Sequence, residues 1–187
     1  TGLTYDSGDF PAAFAHALQL SDYDGWRLQQ AESRTAGRLV GVGTSTVVKA
    51  SGGKGQARRS NAIVRISPAG DVRVVTEITA IGQGTTSSFA QIAATELGVR
   101  REDVEVLHGD TGLLTWGLGT FASRGLAVAG SAVFQGAHKA RTKLALVAGH
   151  LLDCTPDEIA LSDGWASSAE MLDKRVPFAD VGRVFQD

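Results

Sequence analysis

Val72-Arg73-Val74-Val75-Thr76-Glu77-Ile78-Thr79-Ala80-Ile81-Gly82-Gln83-Gly84-Thr85-Thr86-Ser87-Ser88-Phe89-Ala90-Gln91-Ile92-Ala93-Ala94-Thr95-Glu96-Leu97-Gly98 changes its hydrophobic period partway along. Over Val72 to Thr79, apolar Val72, Val74 and Ile78 alternate with Arg73, Glu77 and Thr79. That two-residue period predicts a strand buried on one face. Gly82-Gln83-Gly84 breaks it. Phe89, Ile92, Ala93 and Leu97 then recur at helical spacing, with Thr86, Ser87 or Ser88 expected as the cap and Gly98 as the stop.

Upstream, Ala62 to Ile66 reads as a strand, and the short Ser67-Pro68-Ala69-Gly70-Asp71 connection makes it an antiparallel hairpin with Val72–Thr79. Leu39 to Ala50, rich in Val, Thr and Gly, reads as a further strand with glycine kinks. Two helices precede it, over 8–20 (Asp9 as N-cap, Pro11 in the first turn) and over 23–37. Downstream, Asp103 to Leu107 is a short strand. A long helix is expected from Ser123 to Leu152, with a stripe of Leu126, Ala129, Val133, Gly136, Ala137, Ala140, Leu144, Val147 and Leu151. Short strands near 159–161 and 165–167 and a closing helix over 178–185 complete the chain. This order lacks a clean βαβ alternation and predicts an α+β fold, a two-layer mixed sheet with packed helices. The expected organisation is one domain over 1–187: a helical lead-in (1–38), a core (39–152) and a small C-terminal β/α section (153–187).

Composition removes several classes. The chain has 187 residues, 18 basic and 20 acidic side chains and a net charge of -2. It therefore lacks the basic excess of a nucleic-acid binder. A single cysteine excludes a disulfide scaffold or a multi-cysteine metal site. No apolar run is long enough for a membrane span. Glycine, at 23 residues, exceeds the average of roughly 7% while proline is only 4. That balance suggests close backbone packing and backbone contact with a ligand.

Two glycine loops carry the candidate chemistry. In Gly82-Gln83-Gly84-Thr85-Thr86-Ser87, a backbone open to close approach leads into the amides and positive dipole end of a helix, a setting suited to an anion. The same residues also fit an ordinary glycine turn with a Ser/Thr cap. Gly117-Leu118-Gly119-Thr120-Phe121-Ala122-Ser123-Arg124 matches the G-x-G-x-x-A spacing, but lacks a preceding strand and the acidic residue of a dinucleotide fold. It still places Thr120, Ser123 and Arg124 where they could meet an anion. Together the loops point to a large, multiply anchored anionic ligand. Gly52-Gly53-Lys54-Gly55 is not a phosphate-binding P-loop, since no Ser or Thr follows the lysine. His16, His138 and His150 lack a metal-ligand partner at helical spacing, His108 reads as a loop-holding residue, and Cys154 as a small buried one. No metal ligand is assigned.

At these loops the sequence resembles the molybdopterin-binding large subunit of the xanthine dehydrogenase, aldehyde oxidase and aerobic carbon monoxide dehydrogenase family. The resemblance rests on Ile81 to Ile92 with Glu96-Leu97-Gly98-Val99, and on His108-Gly109-Asp110-Thr111 continuing through Gly117–Arg124 to Val128-Ala129-Gly130. Tyr5-Asp6-Ser7-Gly8-Asp9-Phe10 and Phe178-Ala179-Asp180-Val181 are also similar to it, particularly to the carbon monoxide dehydrogenase-like branch. The resemblance implies a fold of the molybdenum-cofactor-binding-domain type. It implies cofactor contacts at Gly82, Gln83, Gly84 and Thr85 from the first loop, and at Thr120, Phe121, Ala122, Ser123 and Arg124 from the second. The family often has histidine where this chain has Thr85. The implied cofactor is molybdopterin in its cytosine dinucleotide form, carrying molybdenum. The implied reaction is hydroxylation of an aldehyde, heterocycle or similar carbon centre with water, or oxidation of carbon monoxide. The implied partners are the remainder of the large subunit, iron–sulfur and FAD-binding subunits or domains, and a small-molecule substrate, with neither nucleic acid nor a membrane span, in the cytoplasm. The family's catalytic glutamate lies in a Gly-Glu motif, and this chain has no Gly-Glu dipeptide. No catalytic residue is assigned. The chain, which begins at Thr1, is expected to be a fragment, inactive in isolation and open as to whether it holds cofactor by itself. The alternative expectation is a non-catalytic structural or assembly domain that keeps the fold without the cofactor.

Overall fold

The computed structural model describes residues 7–49, 52, 55–171 and 173–184. Tyr5 and Asp6, Ala50, Gly53 and Lys54, and Phe185, each invoked above, lie outside the described residues. The chain divides into two compact units, 1–48 and 49–187.

In the first unit, Asp9 accepts the Ala12 amide (3.0 Å) and opens α1 (Phe10–Leu20), with Pro11 in its first turn. Helix α2 (Tyr23–Thr35) follows, and Gln30 Nε2 donates to the Val40 carbonyl at 2.8 Å. None of its described residues is buried. The strand expected over 39–50 is not formed in its described part: residues 39–49 run without ladder pairing. Valine and threonine favour a strand only where a neighbouring strand accepts their backbone, and among the described residues none pairs with this stretch.

In the second unit, β1 (Ala62–Ile66) and β2 (Val72–Thr76) form the expected antiparallel hairpin, Val64 opposite Val74. The Ser67 hydroxyl closes its turn by accepting the amides of Ala69 and Asp71. Helix α3 (Thr85–Leu97) ends at Gly98, left-handed at φ +65°. It carries the chain across to β3 (Val104–His108), which pairs parallel with β2, Thr76 opposite His108. A parallel pair requires such a crossover. Its consequence is that the carboxyl ends of β2 and β3 share one edge of the sheet. The two glycine loops both leave from that edge, where open α/β sheets take ligands.

The long helix is α4 (Ser131–Leu152), preceded by a π-helical turn over Gly125–Gly130. The wider π turn shifts the phase of the stripe. Ala129, Val133, Ala137, Leu144 and Ala148 are buried, whereas Leu126 is 59% exposed. The small residues admit close packing: a Cβ at Gly130 would lie 3.3 Å from Ile92 Cδ1, and one at Gly136 3.0 Å from Val64 Cγ2. Strands β4 (Ile159–Ser162), β5 (Trp165–Ser168) and β6 (Arg175–Pro177) form a second, antiparallel sheet before α5 (Phe178–Arg183). Cys154 is only partly buried, packed beside the core. One core joins Val72 and Val74 of β2, Phe89, Ala93 and Leu97 of α3, the α4 stripe, and Phe178 and Val181 of α5. The expected α+β architecture is thus observed, as two three-stranded sheets with packed helices, the first of them mixed. Among the described residues no helix is long and apolar enough to cross a membrane.

Candidate functional site

The first loop is built to leave donors free. Gly84, at φ +78°, occupies the cap position of α3 and makes no side-chain cap bond. The expected Thr86, Ser87 or Ser88 cap is therefore absent. A serine or threonine cap needs an extended backbone, and the left-handed glycine turns the chain straight into the helix. The first bond back to the loop is from the Ser88 amide to the Gly84 carbonyl (3.0 Å), so the amides of Thr85, Thr86 and Ser87 precede the helical ladder. Gly82 sits at φ +92°, and among the described residues, chain neighbours aside, no heavy atom lies within 4 Å of a Cβ built on either Gly82 or Gly84. Gln83 folds onto its own loop, accepting the Ile81 amide (2.6 Å) and donating to the Thr79 carbonyl (3.3 Å). Thr85 is 6% exposed, and its hydroxyl is the one buried side-chain polar atom without a partner among the described residues.

The second loop is built the opposite way. Glu77 stands just beyond β2, and its Oε2 accepts the amides of both Leu118 and Gly119 at 2.8 Å. Its Oε1 accepts the Ser60 hydroxyl (2.5 Å) and lies 3.0 Å from an Arg124 guanidinium nitrogen. Arg124 also donates to the carbonyls of Gly119 (2.7 Å) and Arg59. Its side chain is 0% exposed and that of Glu77 3%. The loop is further fixed by Thr120 Oγ1 donating to the Thr79 carbonyl (2.6 Å) and by Gly52 N donating to the Ala122 carbonyl. Ala122 and Ser123 hold φ of +50° and +52°, a conformation costly for residues with a Cβ. Phe121 stays largely exposed, its ring centroid 5.5 Å from the Arg124 guanidinium carbon.

All nine candidate residues therefore lie in two loops joined at Thr79 and Thr120. Gly82 and Gly84 border the open side, and Thr85 is buried behind them at the start of α3. Arg124 faces inward on Glu77. Glu77 escaped the sequence reading, which placed it on the exposed face by extending the strand alternation to Thr79. The ladder ends at Thr76, and the chain beyond it turns Glu77 under the second loop. The available signal was a lone carboxylate in the apolar run Val74–Ile78, which needs a partner if buried. Burial pushes the Glu77 carboxyl up. The bonds from Arg124, Ser60, Gly119 and Leu118 outweigh that and hold it below its ordinary value of 4.5. A depressed folded value means stabilisation fully present above about 4.5 and lost as pH falls through the lower, folded value. Urea unfolding across that acidic window should show this loss in the native chain, and a flatter profile for Glu77→Gln.

Fold and site together define an α+β domain in which a glycine turn opens a helix beside an internally bonded second loop. Residues 16–186 match the family described as the molybdopterin cofactor-binding domain, and the chain belongs to that family. It is 33% identical to the nicotine 6-hydroxylase large subunit of Paenarthrobacter nicotinovorans, over 96% of this chain and 23% of that protein. It is 36% identical to the carbon monoxide dehydrogenase large chain of Hydrogenophaga pseudoflava, over 84% of this chain and 21% of that one. Among solved structures, quinoline 2-oxidoreductase from Pseudomonas putida 86 superposes with a TM-score of 0.66 at 31% identity, over 98% of this chain and 25% of that one. The chain thus spans about a quarter or less of the relatives it matches.

Proposed function

We propose that this chain forms one wall of the cofactor site in a molybdenum hydroxylase large subunit, with Gly82–Thr85 receiving the anionic tail of molybdopterin. The observation that carries the reading is the Thr85 hydroxyl, buried without a partner at the start of α3. An orphaned buried hydroxyl costs stability unless a ligand completes its hydrogen bond. It lies beside three amides at a positive helix end and two glycines with free space above them, so the donor set suits a phosphate or pyrophosphate. The residues present fit the group.

In this reading Gly82 and Gly84 let the tail lie against the backbone. The Thr85 hydroxyl and the amides of Thr85, Thr86 and Ser87 donate to it. Gln83 shapes the turn that aims them. Thr120, Phe121, Ala122 and Ser123 form the facing rim, and Arg124 holds that rim from beneath. The bound cofactor supplies the redox chemistry; this chain's residues bind and orient it. The cytosine dinucleotide form carries a pyrophosphate, which suits this donor set. The remaining protein of the subunit supplies the catalytic base and substrate pocket, with iron–sulfur and FAD partners carrying electrons in the cytoplasm. Exposed Trp116, Leu118, Phe121, Leu126 and Phe134 offer apolar surface for that remainder to cover.

A second reading, a structural domain that keeps the fold without cofactor, is favoured by the internal satisfaction of the second loop. The two readings separate on molybdenum and cytosine nucleotide content of the full-length subunit made in a molybdenum-competent host. We expect both in equal amounts, with loss on Thr85→Val. A clean preparation with neither would favour the structural domain.

A further inference from the structure

The second glycine loop carries an anion already. Two successive amides, of Leu118 and Gly119, converge on one oxygen at 2.8 Å each, the arrangement of a backbone nest around an anion. The oxygen belongs to Glu77 of the same chain. The loop is also shaped for this contact: a Cβ on Gly117 would stand 2.3 Å from the Glu77 Cβ. The neighbouring segment completes the cage, through Ser60 from the approach to β1 and Arg124 from the far end of the loop. Three segments thus present donors to the carboxylate, and among the described residues Arg124 is the cation paired with it.

We propose that Glu77 is the positioning residue of the site: an internal anion that fills the second loop's nest, holds Thr120–Ser123 in their ligand-facing shape before any cofactor arrives, and leaves the α3 start as the single receiver of external anions. The proposal rests on the cofactor-binding reading for what the loop faces, but not for how the loop is held. It replaces two equivalent anion sites with a division of labour. One loop offers free donors. The other has consumed its donors and offers a rigid rim. The left-handed Ala122 and Ser123 persist because bonds on both sides, from Glu77 through Arg124 and from Gly52, over-determine them.

The test is amide hydrogen exchange, resolved by residue, on this chain without cofactor. Leu118 and Gly119 are expected to exchange at least tenfold more slowly than their unstructured rates. Glu77→Gln should erase most of that protection, because its amide group would face the donors of Arg124, while Val74 and Val75 in β2 keep theirs. Should Glu77→Gln fail to fold, Gly117→Ala decides the matter: it displaces the loop from Glu77 without removing charge, and should produce the same selective loss. In the full-length subunit, Glu77→Gln should also lower bound nucleotide severalfold while the core variant Val133→Ala retains it. Unprotected Leu118 and Gly119 in the native chain, protection unchanged by Gly117→Ala, or equal nucleotide loss in Val133→Ala would overturn the proposal. A native subunit lacking nucleotide would instead count against the cofactor reading, leaving the exchange result standing.

Discussion

Arg124→Ala is expected to cost about 3–5 kcal/mol of folding stability, the range for breaking a buried ion pair by removing one partner. The pair qualifies because neither side chain has water to fall back on, at 0% and 3% exposure. The loss leaves Glu77 as an uncompensated buried carboxylate and strips the Gly119 and Arg59 carbonyls of their donor. Arg124→Lys should recover only part of it, since an ammonium lacks the planar fork that reaches both carboxylate oxygens, Oε1 at 3.0 Å and Oε2 at 3.2 Å, and two carbonyls. Urea unfolding of the chain measures this directly. A variant that unfolds like the native chain yet loses ligand would place the guanidinium on the cofactor instead of beneath the loop.

Thr85→Val should have opposite effects on the free and the loaded protein. Valine matches the shape of threonine and removes an oxygen that is buried without a partner. The free chain should gain about 1–3 kcal/mol, the desolvation cost of an unsatisfied polar group. With an anionic ligand bound, the same change deletes a hydrogen bond to a charged group, about 1.5–3 kcal/mol. That corresponds to affinity weaker by about 10- to 150-fold. Stability and affinity moving in opposite directions mark a hydroxyl kept for binding. Both falling together would mean that the hydroxyl serves the fold.

Much of this fold was legible because local patterns agreed with their neighbours. The Phe89, Ala93 and Leu97 stripe gave α3, Gly98 gave its end, and the short turn at Ser67–Asp71 gave the antiparallel pairing of β1 and β2. What escaped depends on partners that sequence does not display. Residues 39–50 carry strand-like composition, but the described ones, 39–49, meet no ladder. Arg175–Pro177 forms β6 because β5 offers Ala166 and Trp165 as partners, although its three residues include a proline. The site divides in the same way. The openness of Gly82 and Gly84 follows from local chemistry. The direction of Arg124 does not: a basic residue at a glycine loop reads as an anion contact until Glu77, far back in the chain, is seen beneath it.

The division between an open first loop and an internally filled second loop is read directly by residue-resolved amide chemical shifts of this chain titrated with cytidine diphosphate, a stand-in for the pyrophosphate and nucleotide of the cofactor tail. Saturable shifts are expected at Thr85, Thr86 and Ser87, with Leu118 and Gly119 held on Glu77 and little changed. Shifts centred on Leu118 and Gly119, with Thr85–Ser87 silent, would contradict that division.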